Sequence, residues 1–265
     1  MYTLTKADML AQLAGLQQEI HQLHRSARQD RRHFSLLERR FSRLQAFNDE
    51  PQLQAYRQKL ENDHLITAQI TQLRATANAA LCDYEKHHVS ALCREPAQTN
   101  AYLNSFDRAL QLEIAAADIK PGERVLLVGS GALPTTALAL VARLSATVIC
   151  YDCDPAAQRF ARRLTRHLGL VQQMPCIDKL NGLTRNDIDH IIIASLVADK
   201  QGLLKALRPL LPQCGKLLVR YGNGLKSIFN CPYHHQAAGS PWRVSGKPLT
   251  TPLYDLLILE PHRHE

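Results

Sequence analysis

The apolar positions of this chain change rhythm near residue 120. Before that point they recur every three or four residues. Met9, Leu10, Leu13, Leu16, Ile20 and Leu23 form one stripe, and Leu36, Leu37, Phe41 and Leu44 form another. Such spacing lies along one face of an amphipathic helix. "PQLQAYRQKL" opens with a proline suited to a helical first turn. The stretch from there to Cys93 is polar, rich in Gln and Ala, and helical in period. Only Gly15, Pro51 and Pro96 punctuate the segment 1–115, which predicts a helical bundle there.

From "DIKPGERVLLVGSG" onward, strand-like runs alternate with helical ones. "RVLLV", "ATVICYD", "QQMPCID", "DHIIIASL", "GKLLVRY" and "LYDLLILE" read as strands. "PAAQRFARRLTRHLG" and "KQGLLKALRPLL" read as helices, and Asp154, just before Pro155, as an N-cap. The alternation predicts an α/β fold over 116–265, a Rossmann-like parallel sheet with helices on both faces, preceded by the α-helical bundle.

Composition narrows the classes. Hydrophobic residues make up 45% of the 265 positions, enough for a sizeable core. No run of about 18 apolar residues and no basic-then-apolar leader is present, which predicts neither a membrane span nor a signal peptide. Seven scattered cysteines, several in apolar runs, read as reduced buried thiols of a cytoplasmic protein. The net charge of +8 is one-sided. Residues 1–119 hold 14 Lys+Arg and 14 Asp+Glu, whereas the rest hold 18 and 10. A basic half attracts anions. Its densest stretch, "RFARRLTRH", has no aromatic interleaving, so it reads as a solvated helix face rather than a nucleic-acid surface.

The candidate chemistry lies at "VLLVGSGALPTTALAL". Gly129 and Gly131 follow a strand and precede a helix, where a backbone without side chains admits a nucleotide. Asp152 ends the second strand, the usual place of an acceptor for ribose hydroxyls. Asp178 ends the third, placed to accept from an adenine amino group. A dinucleotide's pyrophosphate needs an open helix N-terminus, which a third glycine secures. Here Ala132, Leu133 and Pro134 fill that space, which favours S-adenosylmethionine over a dinucleotide.

"VGSGALPTTALAL" followed by "YDCDPAAQRFARRL" resembles nicotianamine synthases, whose turn reads GSGPLPLT and whose second strand ends in DxDP. "YLNSFDRALQLE", "ASLVADK" and "VRYGNGLKSIF" are similar to their YxNYxxLxxLE, AALVxxDK and LRxxxGxRxxLY segments. The likeness runs from about residue 81 to the C-terminus. It implies a helical domain joined to a Rossmann-like domain that binds S-adenosylmethionine. It also implies transfer of the donor's 3-amino-3-carboxypropyl (aminobutanoyl) arm to an amine, with release of methylthioadenosine. Bacterial members of this length imply one transfer to histidine, with an opine dehydrogenase completing a metallophore. The resemblance places the donor against Gly129, Ser130, Gly131, Leu133, Pro134, Asp152, Asp178, Ala194 and Leu196. It departs from the family at Ala132, where the usual residue is proline, and at Phe106, where it is a tyrosine. Tyr102, one helical turn earlier, or Tyr84 is the candidate to compensate.

A sulfonium activates each of its three carbons, so the pocket must select one by aiming it at the nucleophile. The acceptor's ammonium must first lose a proton to a base. The resemblance makes Glu85, in "ALCDYEKHH", that base, and puts Tyr102, Tyr84, Phe106 and Tyr221 about the reacting groups. Asn104 lies on the same segment as Tyr102. Glu113 is left with two readings: it binds the donor's ammonium, or it ties its helix to the sheet. Arg220 is placed to meet a carboxylate.

The histidine pairs His87-His88 and His234-His235 do not read as metal sites, because helix neighbours point apart. Nor does Cys150 with Cys153, which face opposite sides of a strand. A methyltransferase is the main alternative, since its fold and cofactor acids are the same. The expected partners are small molecules, with no nucleic acid and no membrane, and a homodimer through the helical region is the default assembly.

Overall fold

The structure is a computed structural model that describes residues 5–47, 63–94, 107–236 and 239–262. The proline-led segment 51–60, together with Tyr102, Asn104 and Phe106, lies outside these residues.

Among the described residues four α-helices come first: α1 (Lys6–Gln29), α2 (Phe34–Phe47), α3 (His64–Leu92) and α4 (Asp107–Ala117). Thr5 and Asp8 form a reciprocal capping box at the start of α1. Asp63 accepts from the amides of Leu65 and Ile66 at the start of α3. The predicted stripe is the packed face. Met9, Leu13 and Ile20 are buried with Leu37, Phe41, Ile70, Leu73 and Tyr84, while Leu10, Leu16 and Leu23 pack at the margin.

The α/β part runs β1 (Arg124–Val128), α5 (Thr135–Leu144), β2 (Thr147–Tyr151), α6 (Pro155–His167) and β3 (Cys176–Ile177). It continues with β4 (His190–Ile193), α7 (Lys200–Leu207), β5 (Lys216–Tyr221), β6 (Trp242–Val244), β7 (Leu249–Thr250) and β8 (Asp255–Pro261). The sheet order is β3-β2-β1-β4-β5-β8-β6, with β7 also on β8. Strands β1 to β5 are parallel, and β8 runs antiparallel to β5, β6 and β7. The expectation of a wholly parallel sheet is corrected here. The chain returns from β5 to β8 with no helical crossover of the kind a parallel partner needs, so the returning strand comes back reversed.

Alternate residues of each strand face two separate cores. Val125, Leu127, Val148, Cys150, Ile192 and Leu218 pack with Val89 and Leu92 of α3, Leu110 of α4, and α5. Leu126, Val128, Ile191, Ile193, Leu217 and Val219 pack with Leu204 and Leu207 of α7, Tyr233 and Trp242. Each such fully buried side chain contributes about 1.5–3 kcal/mol. The last turn of α3, with Val89 and Leu92, and the inner face of α4, with Leu110 and Ala117, therefore rest on the sheet, although both helices begin before the boundary drawn at residue 115. Leu225 and Ile228, beyond β5, reach the helical core in return.

Candidate active site

Strand order reverses between β1 and β4, and the segments leaving the carboxyl ends of β1, β2, β4 and β5 meet above that point. Ligands of open α/β sheets bind there. The turn after β1 has Gly129 at φ +81° and Gly131 at φ +70°, a region glycine enters without steric cost. A Cβ on Gly129 would stand 2.6 Å from Val197 Cγ2, and one on Gly131 would stand 2.6 Å from Glu85 Oε2. The turn is thus a cradle that only glycine keeps open.

Its four successive amides are all engaged. Those of Gly129 and Ser130 donate to the carbonyl of Tyr151 at 2.8 and 3.0 Å. Gly131 N donates to Asp152 Oδ2 at 2.8 Å, and Ala132 N donates to Glu85 Oε2 at 3.1 Å. Two carboxylates therefore take two successive amides of the turn, one brought by the end of β2 and the other by helix α3. Burial pushes the Glu85 carboxyl up to about 7; the amides of Ala132 and Leu133 oppose the shift, and the charge of Asp152 adds to it. Ala132, Leu133 and Pro134 are buried and close the far side of the turn, with Pro134 at the N-cap of α5.

Helix α3 is fastened over this turn. Lys86, next to Glu85, forms an ion pair with Asp154 at 3.0 Å. Asp154 caps α6 through the amide of Ala156 at 2.8 Å, as its place before Pro155 predicts. Its own amide donates to Asp152 Oδ1 at 2.9 Å. Tyr84, one residue before Glu85, packs instead in the helical core against Phe34 and Phe41.

The remaining sequence candidates spread along the same edge. Asp178 follows β3, largely exposed, and pairs with Arg162 at 2.6 Å. Ala194 lies under Gly129, its Cβ 3.1 Å from a Cβ built there. Leu196, in the turn after β4, accepts from Cys231 Sγ at 3.3 Å. Tyr221 ends β5, edge-on to Tyr233 at 6.1 Å, and burial raises its hydroxyl's pKa. Glu113 is fully buried and receives Arg220 on both oxygens, at 2.9 Å from Nε and 2.7 Å from Nη2, along with the Tyr254 hydroxyl. Arg220 Nη1 also donates to Thr136 at 2.8 Å, so α4, α5, β5 and the start of β8 meet in one polar cluster.

Among the described residues no three of His, Cys, Asp and Glu gather as metal ligands. His87 stacks on Phe34 at 4.4 Å, His88 sits beside Tyr84, and His235 faces the Tyr233 hydroxyl at 2.9 Å. Cys150 is buried and Cys153 exposed, and none of the seven cysteines is in a disulfide. No helix among the described residues is long and apolar enough to cross a membrane.

Sequence reasoning missed three parts of this edge: Tyr254 on Glu113, the Lys86–Asp154 pair, and Lys200, whose ammonium bonds carbonyls after β4 and β5. Only the last left a signal, a lysine in the first turn of a helix, where the dipole disfavours a cation.

Comparison with known proteins identifies the family and the fold. The family model "Nicotianamine synthase protein" matches residues 6–239. The L-histidine 2-aminobutanoyltransferase of Yersinia pestis is 64% identical over 264 residues, 100% of both chains. The protein of the same name from Pseudomonas aeruginosa is 35% identical over 96% of this chain and 97% of its own. Among solved structures, MtNAS in complex with MTA and tNA superposes with a TM-score of 0.73 at 13% identity, over 93% of this chain and 98% of that one. A mutant of MtNAS in complex with S-adenosylmethionine superposes with a TM-score of 0.72 at 16% identity, over 92% and 97%. With a family match across most of its length and relatives alike from end to end, the chain belongs to the nicotianamine synthase family.

Proposed function

We propose that this protein transfers the aminobutanoyl group of S-adenosylmethionine to the amine of L-histidine and releases methylthioadenosine. One observation carries the reading: a carboxylate with raised proton affinity, Glu85, is delivered by the helical region onto a glycine turn that also holds Asp152. The acceptor and the group transferred follow the names of the full-length relatives.

The donor's sulfonium supplies an electrophilic carbon. Everything else is the work of this chain. Gly129 and Gly131 let the backbone approach the donor, and Asp152 accepts from its ribose. Ala194 and Leu196 border the adenosine and Asp178 lies at its outer edge. Glu85 takes the proton of the acceptor's ammonium, whose freed electron pair forms the new C–N bond. The C–S bond breaks with its pair left on the sulfur of methylthioadenosine. A base titrating near the working pH both accepts and releases that proton readily. Tyr221 completes the acceptor side; the roles that the resemblance assigns to Tyr102 and Phe106 fall outside the described residues. The product passes to an opine dehydrogenase in metallophore synthesis. The enzyme acts in the cytoplasm, as a homodimer, on small molecules and without a metal of its own.

Mass spectrometry of the protein mixed with S-adenosylmethionine and L- or D-histidine tests this. Histidine heavier by one aminobutanoyl unit, with methylthioadenosine released, is the expected result. Histidine heavier by one methyl, with S-adenosylhomocysteine, would make the protein a methyltransferase.

A further inference from the structure

Lys200 breaks two local rules. It stands in the first turn of α7, where the helix dipole repels a cation, and it is 1% exposed. A lysine so buried ordinarily pairs with a carboxylate. Its Nζ instead donates to three main-chain carbonyls: Ser195 at 3.0 Å, Val197 at 2.5 Å and Cys231 at 3.4 Å. Ser195 and Val197 belong to the turn leaving β4, and Cys231 to the segment that follows β5. The same two segments are stitched by Cys231 N to Ser195 O at 2.9 Å and by Cys231 Sγ to Leu196 O at 3.3 Å. Gly222 N, just past β5, donates to Cys231 O at 3.3 Å. The β4 turn so held is the one whose Ala194 and Val197 lie against Gly129.

We propose that Lys200 is a positioning residue: its ammonium draws the segments after β4 and β5 together and seats them against the glycine turn, shaping the wall on which the adenosine half of the donor rests. This rests on the donor reading above. An ammonium has three protons for three carbonyls, and the free amine has only two. Loss of one proton leaves a carbonyl unbonded and the wall slack. Burial brings Lys200 down to about 8, with Arg74 acting in the same direction and Cys231 against it. Adenosine affinity therefore falls as pH rises through about 8. Folding stability moves the other way. Between about 8 and the ordinary 10.5 the unfolded chain holds a proton that the folded chain has lost, so this group's contribution to stability rises with pH. A purely structural lysine would not separate the two.

The probe is methylthioadenosine, whose thioether does not titrate, measured by calorimetry from pH 6.5 to 9.5 on the full chain. Glu85→Gln serves as the background, so that the base's own titration is silent. The expected result is a dissociation constant that rises about tenfold across pH 8. Lys200→Met should start at the weakened value and stay flat, and Cys231→Ala should keep the step. A flat profile in the Glu85→Gln protein overturns the proposal, and so does a step that vanishes in Cys231→Ala. Either result is decisive even where Lys200→Met fails to fold. No binding of methylthioadenosine at any pH would instead overturn the donor reading itself.

Discussion

Glu85 and Glu113 are the same side chain in opposite settings. Glu113 is fully enclosed, yet Arg220 and the Tyr254 hydroxyl engage both of its oxygens. Arg220 is held charged by that carboxylate, and its guanidinium also lies over the Tyr254 ring at 5.0 Å. Glu85 is held by main-chain amides of the glycine turn rather than by a guanidinium, and the nearby charge of Asp152 opposes its own. A carboxylate that is buried and paired becomes part of the framework. One that is desolvated, held only by main-chain amides and beside a second acid keeps its proton up to about pH 7, where it can still exchange it.

Breaking the first half of the comparison gives the largest effect. Glu85→Gln keeps an oxygen for Ala132 N but accepts no proton, so the acceptor stays an ammonium. Aminobutanoyl-histidine formation should fall about 10²–10⁴-fold. Calorimetry should find S-adenosylmethionine binding within a few-fold of the parent. Turnover at the parent rate would sink the assignment of the base.

The second half breaks differently. Glu113→Ala leaves Arg220 buried without its partner, which costs about 3–5 kcal/mol of stability. Thermal unfolding should show it directly. Activity at a temperature where the variant remains folded should drop far less than in Glu85→Gln. A variant with unchanged melting but no donor binding would move Glu113 from the framework to the pocket.

Asp152 stands between these two. It binds framework amides at Gly131 and Asp154, yet it lies at the rim of the cradle. Asp152→Ala should weaken donor binding about tenfold to a hundredfold through the lost charge-assisted bonds. The accompanying loss of melting temperature should be smaller than that of Glu113→Ala. Equal losses in both assays would class it with Glu113.

Much of the fold and of the glycine turn is legible in the sequence, for identifiable reasons. Period-3.6 stripes such as Met9, Leu13 and Ile20 and near-continuous apolar strands such as "HIII" report burial directly, so the helices and the parallel core follow from them. Gly129, Gly131 and Asp152 act through local turn geometry, which spacing encodes. Partners distant in the chain are not legible. The bond between Glu113 and Tyr254 spans 141 residues and that between Arg220 and Thr136 spans 84, and nothing in either neighbourhood names the other. Hence sequence alone leaves Glu113 with two readings, and only its surroundings choose between them. The reversal of β8 is hidden for a related reason, because a strand's direction depends on its connection and not on its own residues.

The smallest effect tests the cost of leaving Glu85 loosely held. Its carboxyl titrates at about 7 in the folded protein against an ordinary 4.5. Below pH 4.5 it is protonated in both states and carries no penalty. Between those values the folded protein keeps a proton that the unfolded chain has lost, so this group's contribution to stability declines as pH rises and is gone above pH 7. Glutamine does not titrate. Glu85→Gln should therefore melt no higher than the parent at pH 4.5 and a few degrees higher at pH 8, a gain of about 1–2 kcal/mol once partial solvent access is allowed for. The same titration should set the acid limb of the parent's kcat near pH 7, rising with pH. Should the variant be no more stable at pH 8, burial would not be what raises the carboxyl, and Glu85 would be as well satisfied as Glu113.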